Sequence, residues 1–485
     1  MDYNFVNFGE GYGVASAQEV EELNKALEAG VPYLSAPNTR TGGGALQVES
    51  LDASLKSMTY EMRHIKFWAI INKDQAFNTI EEYNRIDAYG DQAQGFIAEG
   101  ALPRSEDSSY SRQVQRVRFI GVTRELTHVY TLVRNAHGDA IAREIRNGTM
   151  RILEIVERNL FDGRGFYSNS GSFDGADAAI LDDDLKWEGL DKQIRKGDTD
   201  ASAKAKAFTG YGVEESVIKD VRGDILDEDY LEDGARIVQE NFGMPSVMFL
   251  DTKAHSDLAR QFYPKERINS MGVQNGKAGF VLQQFVSSAG AFDLMSNVFI
   301  RPKRGQQAVT DGPVAPNISA GVRAASGALV SKFLAADAGA YDYKAAAINA
   351  AGEGVLSAAQ NVAAVVADDK VTLTIDATAG AIAYAVYRAP VDTTANHEFI
   401  GYVAPATVGG AATFVDLNHK LPGLAQAYLL SQEAEVMRFK QLAPLMKMDL
   451  AIIATAYRWM QLLYGTPIVY APRKNLIYSN VGRSA

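Results

Sequence analysis

The sequence has no cysteine among its 485 residues and only six histidines. The first absence excludes disulfides, thiol nucleophiles, iron–sulfur clusters and cysteine-ligated zinc. The histidines, His64, His128, His137, His255, His397 and His419, are scattered, with none three or four residues from another. No helical zinc-binding pair can therefore form. Long apolar runs are also lacking. None approaches the roughly 18 residues of a membrane-spanning helix, and the most apolar stretch, 450–464, is broken by Thr455, Arg458 and Gln461. The opening MDYNFVNFGE has neither the basic head nor the apolar centre of a secretory signal. Positive charge is in deficit: 48 basic against 59 acidic side chains, a formal net charge of -11. Wrapping a nucleic-acid backbone needs clustered Lys and Arg, so that class is disfavoured. The expected product is a soluble protein of roughly three domains at about 150 residues each.

Catalytic templates are missing too. Gly9, Gly11 and Gly13 lack the third-glycine spacing of a dinucleotide fingerprint, and no strand precedes them. Residues 272–277 approach a phosphate loop, but Gly272 and Gly276 are one residue too close and Ala278 stands where a magnesium-binding hydroxyl belongs. No G-x-S-x-G elbow occurs. Asp174, Asp177 and Asp182 to Asp184 lack calcium-loop spacing and read as a solvated acidic loop. No catalytic residue, cofactor or metal is assigned, and the chain is expected not to be an enzyme.

Several features are present. Residues 1–15 read as an extended arm. Ser16 and Glu19 form a capping box opening a helix over 17–28. Gly42, Gly43 and Gly44 form a hinge, because they bring no side chains to pack. Residues 77–87 and 109–119 alternate as two strands around a Gly/Ala/Pro tip at 92–107, which predicts a long β-hairpin. Both its faces read as largely polar. A lone two-stranded hairpin is marginal in water, so it must lie against another part of the chain or another subunit. Its arginines, Arg104, Arg112, Arg116, Arg118 and Arg124, are balanced by Glu81, Glu82, Asp87, Asp91 and Glu99. That balance suits an interface in which charge pairs fix register. The expected inter-subunit contacts are Glu81, Glu82, Arg85, Asp87, Arg104, Arg112, Arg116 and Arg118.

Asp139 caps the clearest helix, in which Ile141, Ile145, Ile152, Val156 and Leu160 recur at helical spacing, with Glu157 counted on its polar side, before Gly163 ends it. Residues 163–212 read as loop-rich. Helices are expected at 214–226 and 229–242, and a strand at 247–250. Asp251 should cap a helix that stops before Pro264, and 298–300 should be a short strand. From about 312 the chain becomes alanine-rich and poor in charge. Short alternating segments at 328–334, 341–349, 370–375, 382–388, 399–403 and 413–416 predict an all-β sandwich. After 423 the composition reverts. Residues 427–439 suit strand or helix, and 466–470 and 476–478 suit strands, so the sandwich looks inserted into a host domain.

The order of arm, polar hairpin, long helix and α/β domain resembles the major capsid proteins of tailed bacteriophages, the Hong Kong 97-type fold. The hairpin at 77–123 running into the helix at 139–161 carries the resemblance. The segment Trp187-Glu188-Gly189-Leu190-Asp191-Lys192-Gln193-Ile194 and the ending Ala471-Pro472-Arg473-Lys474-Asn475-Leu476 add to it. Tyr341, Tyr343, Ala345, Asn349 and Gly352, with Ser357 and the later Tyr384, Val386, Tyr387 and Arg388, resemble the strand pattern of a fibronectin type III or immunoglobulin-like module.

The resemblance implies an α+β fold. Its parts would be an N-arm at 1–73, an E-loop hairpin with peripheral strands at 74–131, and a spine helix with peripheral domain at 132–212. An axial domain at 213–312, an inserted sandwich at 313–424 and a return to the core at 425–485 would follow. It implies a structural virion protein forming hexamers and pentamers that close into an icosahedral shell around double-stranded DNA. That shell would be assembled in the host cytoplasm, with scaffold, portal and cement proteins as further partners and no membrane. One departure stands out: residues 74–132 contain no lysine, so a covalent crosslink through a hairpin lysine is not expected. Two alternatives remain, an encapsulin-like nanocompartment and a carbohydrate-active or adhesive protein carrying a sandwich module.

Overall fold

The computed structural model describes residues 58–90, 96–103, 105–133, 138–163, 187–199, 215–269, 282–300, 306, 308–326, 331–451 and 455–484. The predicted arm, the 17–28 helix, the Gly42–44 hinge, Arg104, the acidic loop and the 272–277 loop lie outside them. The chain divides into two compact units, 1–58 with 131–140, and 59–130 with 141–485. All the described strands belong to the second.

The long helix spans Ala140–Phe161. Its buried stripe is Ile152, Leu153, Val156, Leu160 and Phe161, and each such side chain removed from water contributes about 1.5–3 kcal/mol. The helix ends at Gly163, whose φ of 39° puts it in the left-handed region. A Cβ there would strike the backbone of Gly189, so both glycines are needed where these segments cross. Trp187 seals the crossing by donating Nε1–H to the carbonyl of Asn159 at 2.8 Å.

The stripe packs into a core shared with a six-stranded mixed sheet, ordered Ile218–Asp220, Leu476–Val481, Ala425–Leu430, Val247–Leu250, Gly290–Ser296 and Gln284–Ser287. Val247–Leu250 and Leu476–Val481 are buried at every residue. Central strands covered on both faces read as continuous apolar runs for that reason. A four-stranded sheet, ordered Lys73–Gln75, Met437–Asp449, Ala456–Val469 and Arg118–Thr127, carries the long helix. Gln461 reaches from this sheet to the helix and donates Nε2–H to the carbonyl of Ile145 at 2.8 Å.

Both sheets draw strands from either side of residues 318–416, whose own strands pair with one another. There, Glu353–Leu356, Gly339–Ile348, Ala383–Arg388 and Glu398–Val403, with Gln360–Val365 on Gly339–Ile348, form one sheet; Ala412–Asp416, Asp369–Ile375 and Ile318–Ala325 form a second. Tyr341, Tyr343, Val371, Leu373, Tyr384, Val386, Ile400 and Phe414 share one core between them. The buried Arg388 guanidinium lies 2.5 Å from Asp416, and the Tyr343 hydroxyl donates to the same carboxylate at 2.9 Å. A buried charge needs such a partner.

Several expectations fail for identifiable reasons. The helix expected at 214–226 is instead the strand Ile218–Asp220 and a turn, because edge pairing with Leu476–Val481 overrides local propensity. The helix expected to stop before Pro264 runs through it, as Thr252–Asn269. An interior proline forfeits one hydrogen bond but does not oblige the chain to stop. Residues 298–300 are not a strand, and 298–299 turn, since the Asn297 side chain accepts from the N–H of Phe299 at 2.8 Å. The loop-rich 163–212 contains the helix Leu190–Thr199. No strand occurs among the described residues of 328–334, while Ile318–Ala325, Glu353–Leu356 and Gln360–Val365 are strands the pattern missed. Residues 427–439 resolve as strand at both ends.

Candidate assembly surface

The hairpin pairs Ile80–Ala88 with Ser109–Arg116 in antiparallel register: Ile80 opposite Arg116, Glu82 opposite Val114, Asn84 opposite Arg112 and Ile86 opposite Tyr110. Directly opposed residues share a face, so each face can be read off the register. One bears Glu81, Tyr83, Arg85, Asp87, Ser109, Ser111, Gln113 and Gln115, all half-buried; the other is exposed.

The half-buried face rests on the same chain. Tyr83 meets Tyr470 edge to face with centroids 4.9 Å apart. Gln115 donates to Glu188 at 3.1 Å, and Lys440 lies 3.5 Å from Glu81. Lys440 also donates to Asp74 at 2.7 Å, and Arg438 to the same carboxylate at 3.0 Å. These bonds, Lys440 foremost, hold the Asp74 carboxyl below the usual carboxylate range, at about 2. At the hairpin's root the N–H of buried Val117 donates to the carbonyl of Thr79 at 2.9 Å. The ribbon is thus held at its base by ion pairs, an aromatic contact and a buried valine.

The exposed face corrects the sequence reading of two polar faces. Beside Glu82, Asn84, Arg112 and Arg116 it carries Ile80, Ile86, Tyr110 (66% exposed) and Val114, so it is mixed and not largely polar. The described part of the tip adds Phe96 (95%), Ile97 and Leu102 (93%). Single exposed apolar side chains are ordinary, but Ile86 and Tyr110 directly opposed, with Val114 and Ile80 diagonal to each other, suit an interaction surface.

The eight expected contact residues are placed unevenly. Glu82 and Arg112 pair with each other at 2.7 Å on the exposed face. Arg85 and Asp87 pair at 2.9 Å on the covered face, where Ser111 also donates to Asp87. Glu81 is engaged by Lys440. Arg116 is exposed and Arg118 half-buried. Arg104 lies outside the described residues. Most of the charge expected to meet a neighbour is therefore engaged within this chain, and on the open face Glu82, Arg112 and Arg116 are interspersed with apolar side chains. The pairing of Ile86 with Tyr110 was the missed signal: it needs the register, and Asn84, Arg112 and Glu82 dilute it in the linear pattern.

The apolar surface continues beyond the hairpin. In the four-stranded sheet Tyr464 lies opposite Phe119, Leu462 opposite Gly121 and Met460 opposite Thr123; Met446 and Met448 oppose Leu462 and Met460. Phe119 and Tyr464 stack edge to face at 4.8 Å, and Phe119 and Met448 are exposed. The other face, with Trp459, Gln461 and Leu463, is buried.

Among the described residues no three His, Asp or Glu side chains gather as metal ligands would. His64 accepts from the N–H of Glu61 at 2.9 Å and His255 bonds to the carbonyl of Leu282 at 3.0 Å, so both serve local structure.

No family model matches the sequence. The chain is similar to a putative major capsid protein of Enterococcus phage phiEF24C, 23% identical over 475 residues and covering 95% of each chain. It is likewise 23% identical over 481 residues to the major capsid protein of Staphylococcus phage K, again 95% of each. Among solved structures, it overlaps the capsid of Cyanophage P-SCSP1u at 8% identity and a TM-score of 0.45, over 93% of this chain and 97% of that one. It overlaps the encapsulin of Synechococcus elongatus PCC 7942 at 9% identity and a TM-score of 0.37, over 88% and 92%.

Proposed function

We propose that this chain is the major capsid protein of a tailed bacteriophage, a structural protein that works through its surfaces. The observation that carries the reading is the end-to-end similarity to proteins named major capsid protein, 95% of both chains in each case. The uncovered apolar ribbon supplies a physical means. In this reading the chain adopts the Hong Kong 97-type arrangement, and copies join as hexamers and pentamers closing into an icosahedral shell around double-stranded DNA. The exposed face of each hairpin lies over a neighbouring subunit, where burial of Ile80, Ile86, Tyr110 and Val114 drives association. Exposed charges beside them, such as Arg116, would fix its register.

Residues 313–424 form an inserted immunoglobulin-like module facing outwards, with the axial and peripheral parts on either side. The net charge of -11 suits a container wall, because repulsion keeps packed DNA from adhering. The names of the relatives favour the phage shell over an encapsulin-like compartment.

Deleting residues 92–107 tests the role of the hairpin. The variant is expected to keep its far-ultraviolet circular dichroism and melting profile while losing assembly by electron microscopy. Shells at wild-type yield from the deleted chain would remove the hairpin from the account.

A further inference from the structure

Eight described non-glycine residues have positive φ, and three of them, Arg222 (52°), Asn418 (60°) and Asn480 (56°), meet where residues 318–416 rejoin the six-stranded sheet. Such conformations cost about 1–3 kcal/mol each and persist only where their surroundings over-determine them. Here the surroundings are a continuous set of hydrogen bonds. Asn480 donates from Nδ2 to Asp220 Oδ1 at 2.8 Å and to the carbonyl of His419 at 3.0 Å, and accepts from the N–H of Leu421 at 2.8 Å. Arg222 donates to Asp337 at 2.8 Å and to the carbonyl of Lys332. Asn418 donates to the same Asp337 oxygen at 3.0 Å and accepts from Arg388 at 2.7 Å. Arg388 and Asp416 carry the set into the core of the two-sheet segment.

On the incoming side, residues 309–312 are bound to the module itself. The N–H of Val309 donates to the carbonyl of Glu353 at 2.9 Å, and Asn349 donates to the carbonyl of Asp311 at 2.9 Å. A Cβ on Gly312 would strike the Glu353 carbonyl, so backbone lies directly on backbone. The outgoing connection, held at His419 and Leu421 by Asn480, lacks the free length of a flexible tether.

We propose that Asp220, Arg222, Asn418 and Asn480 form a clamp fixing the two-sheet module at one angle to the six-stranded sheet, so that module and sheet move as one rigid body. Asn480 and Arg222 are positioning residues in this device. Their side chains set the geometry, and their strained backbone is the cost of reaching it from both sides. The clamp rests on the capsid reading only for the statement that the module faces outwards.

The test uses the full chain and the pair Asn480→Gly with Arg222→Gly. Glycine tolerates positive φ, so these changes remove the side-chain bonds without adding backbone strain. Hydrogen exchange at the Leu421 amide and through 331–337 is expected to rise about tenfold or more. Val371–Ile375 and Ala425–Leu430 should keep wild-type protection. Exchange within twofold of wild type at Leu421 would overturn the clamp.

Should the glycine pair not fold, Asn480→Asp provides a second arm, because it sets two carboxylates against each other. It is expected to raise the same exchange, and adding Asp220→Asn should lower it again by restoring a donor. No change in the first variant, or no rescue in the second, also overturns the proposal. These readings do not depend on shell formation, so failure of the wild type to assemble would count against the functional reading alone.

Discussion

Glu157→Ala is expected to lower the stability of the chain by about 3–5 kcal/mol. Glu157 lies on the long helix with no exposed surface. Its Oε1 accepts from the N–H of Phe67 at 2.8 Å, the N–H of Lys66 at 3.1 Å and Nδ2 of Asn297 at 2.7 Å. Its Oε2 accepts from the N–H of Trp68 at 2.8 Å. One carboxylate thus satisfies the free N–H groups at the start of the helix Phe67–Ile70 and ties that helix and the 290s turn to the long helix. Burial pushes the carboxyl upward from its ordinary range, while the four N–H donors pull the other way.

Alanine would strand four donors in a dry site, and leaving a buried donor unsatisfied costs more than a hydrogen bond contributes. Glu157→Gln should fall between, at about 1–3 kcal/mol, because its amide keeps one acceptor but turns N–H toward the N–H of Trp68. The tryptophan fluorescence transition in urea measures both, since Trp68 stacks on Phe439 at 4.8 Å beside this site. A loss below about 1 kcal/mol for the alanine variant would show that water replaces the carboxylate.

Replacing Ile86 and Val114 together by lysine is expected to weaken assembly by about 30-fold to 1,000-fold per contact, the scale of losing two apolar anchors from an interface centre. The free subunit should be nearly unaffected, within about 0.5 kcal/mol for each position, because both side chains are exposed. Val114→Lys faces Glu82 across the ribbon, so the hairpin itself gains a charge pair. The critical protein concentration for particle formation reads the first effect and thermal melting of the unassembled chain reads the second. Unchanged assembly would mean that the open face is not an interface. A large fall in melting temperature would mean that it packs within its own chain.

The sequence was most legible where one element has one face to bury. The long helix lies close to where its isoleucine spacing and Gly163 place it, and Val247–Leu250 matches its expected bounds because a continuous apolar run between turns has few other uses. The hairpin strands were visible from alternation, but their apolar face was not, because it is assembled across two strands.

The helix Leu190–Thr199 escaped for the opposite reason. Asp191, Lys192, Gln193 and Arg195 are all buried, paired as Lys192 with Glu188 and Arg195 with Asp191, so its apolar stripe is only Trp187, Leu190 and Ile194 among charged residues. In sequence Glu157 reads as a solvent-facing charge. Its position four residues after Leu153 and three before Leu160 puts it inside the apolar stripe, and that spacing was the available signal. The strand Ile318–Ala325 was hidden by its Ala and Gly content, which is weak in β-propensity and shows only through pairing with Asp369–Ile375. The junction of Arg222, Asn418 and Asn480 joins residues up to 258 positions apart, and local sequence carries nothing of that kind.

On this reading the chain works by assembling with copies of itself through exposed surfaces. Negative-stain electron microscopy of the purified protein, with sedimentation velocity on the same samples, tests it most directly. Closed shells, tubes or hexameric rings are expected, with a species that grows with protein concentration. A strictly monomeric chain at every concentration, salt level and added scaffold would contradict it.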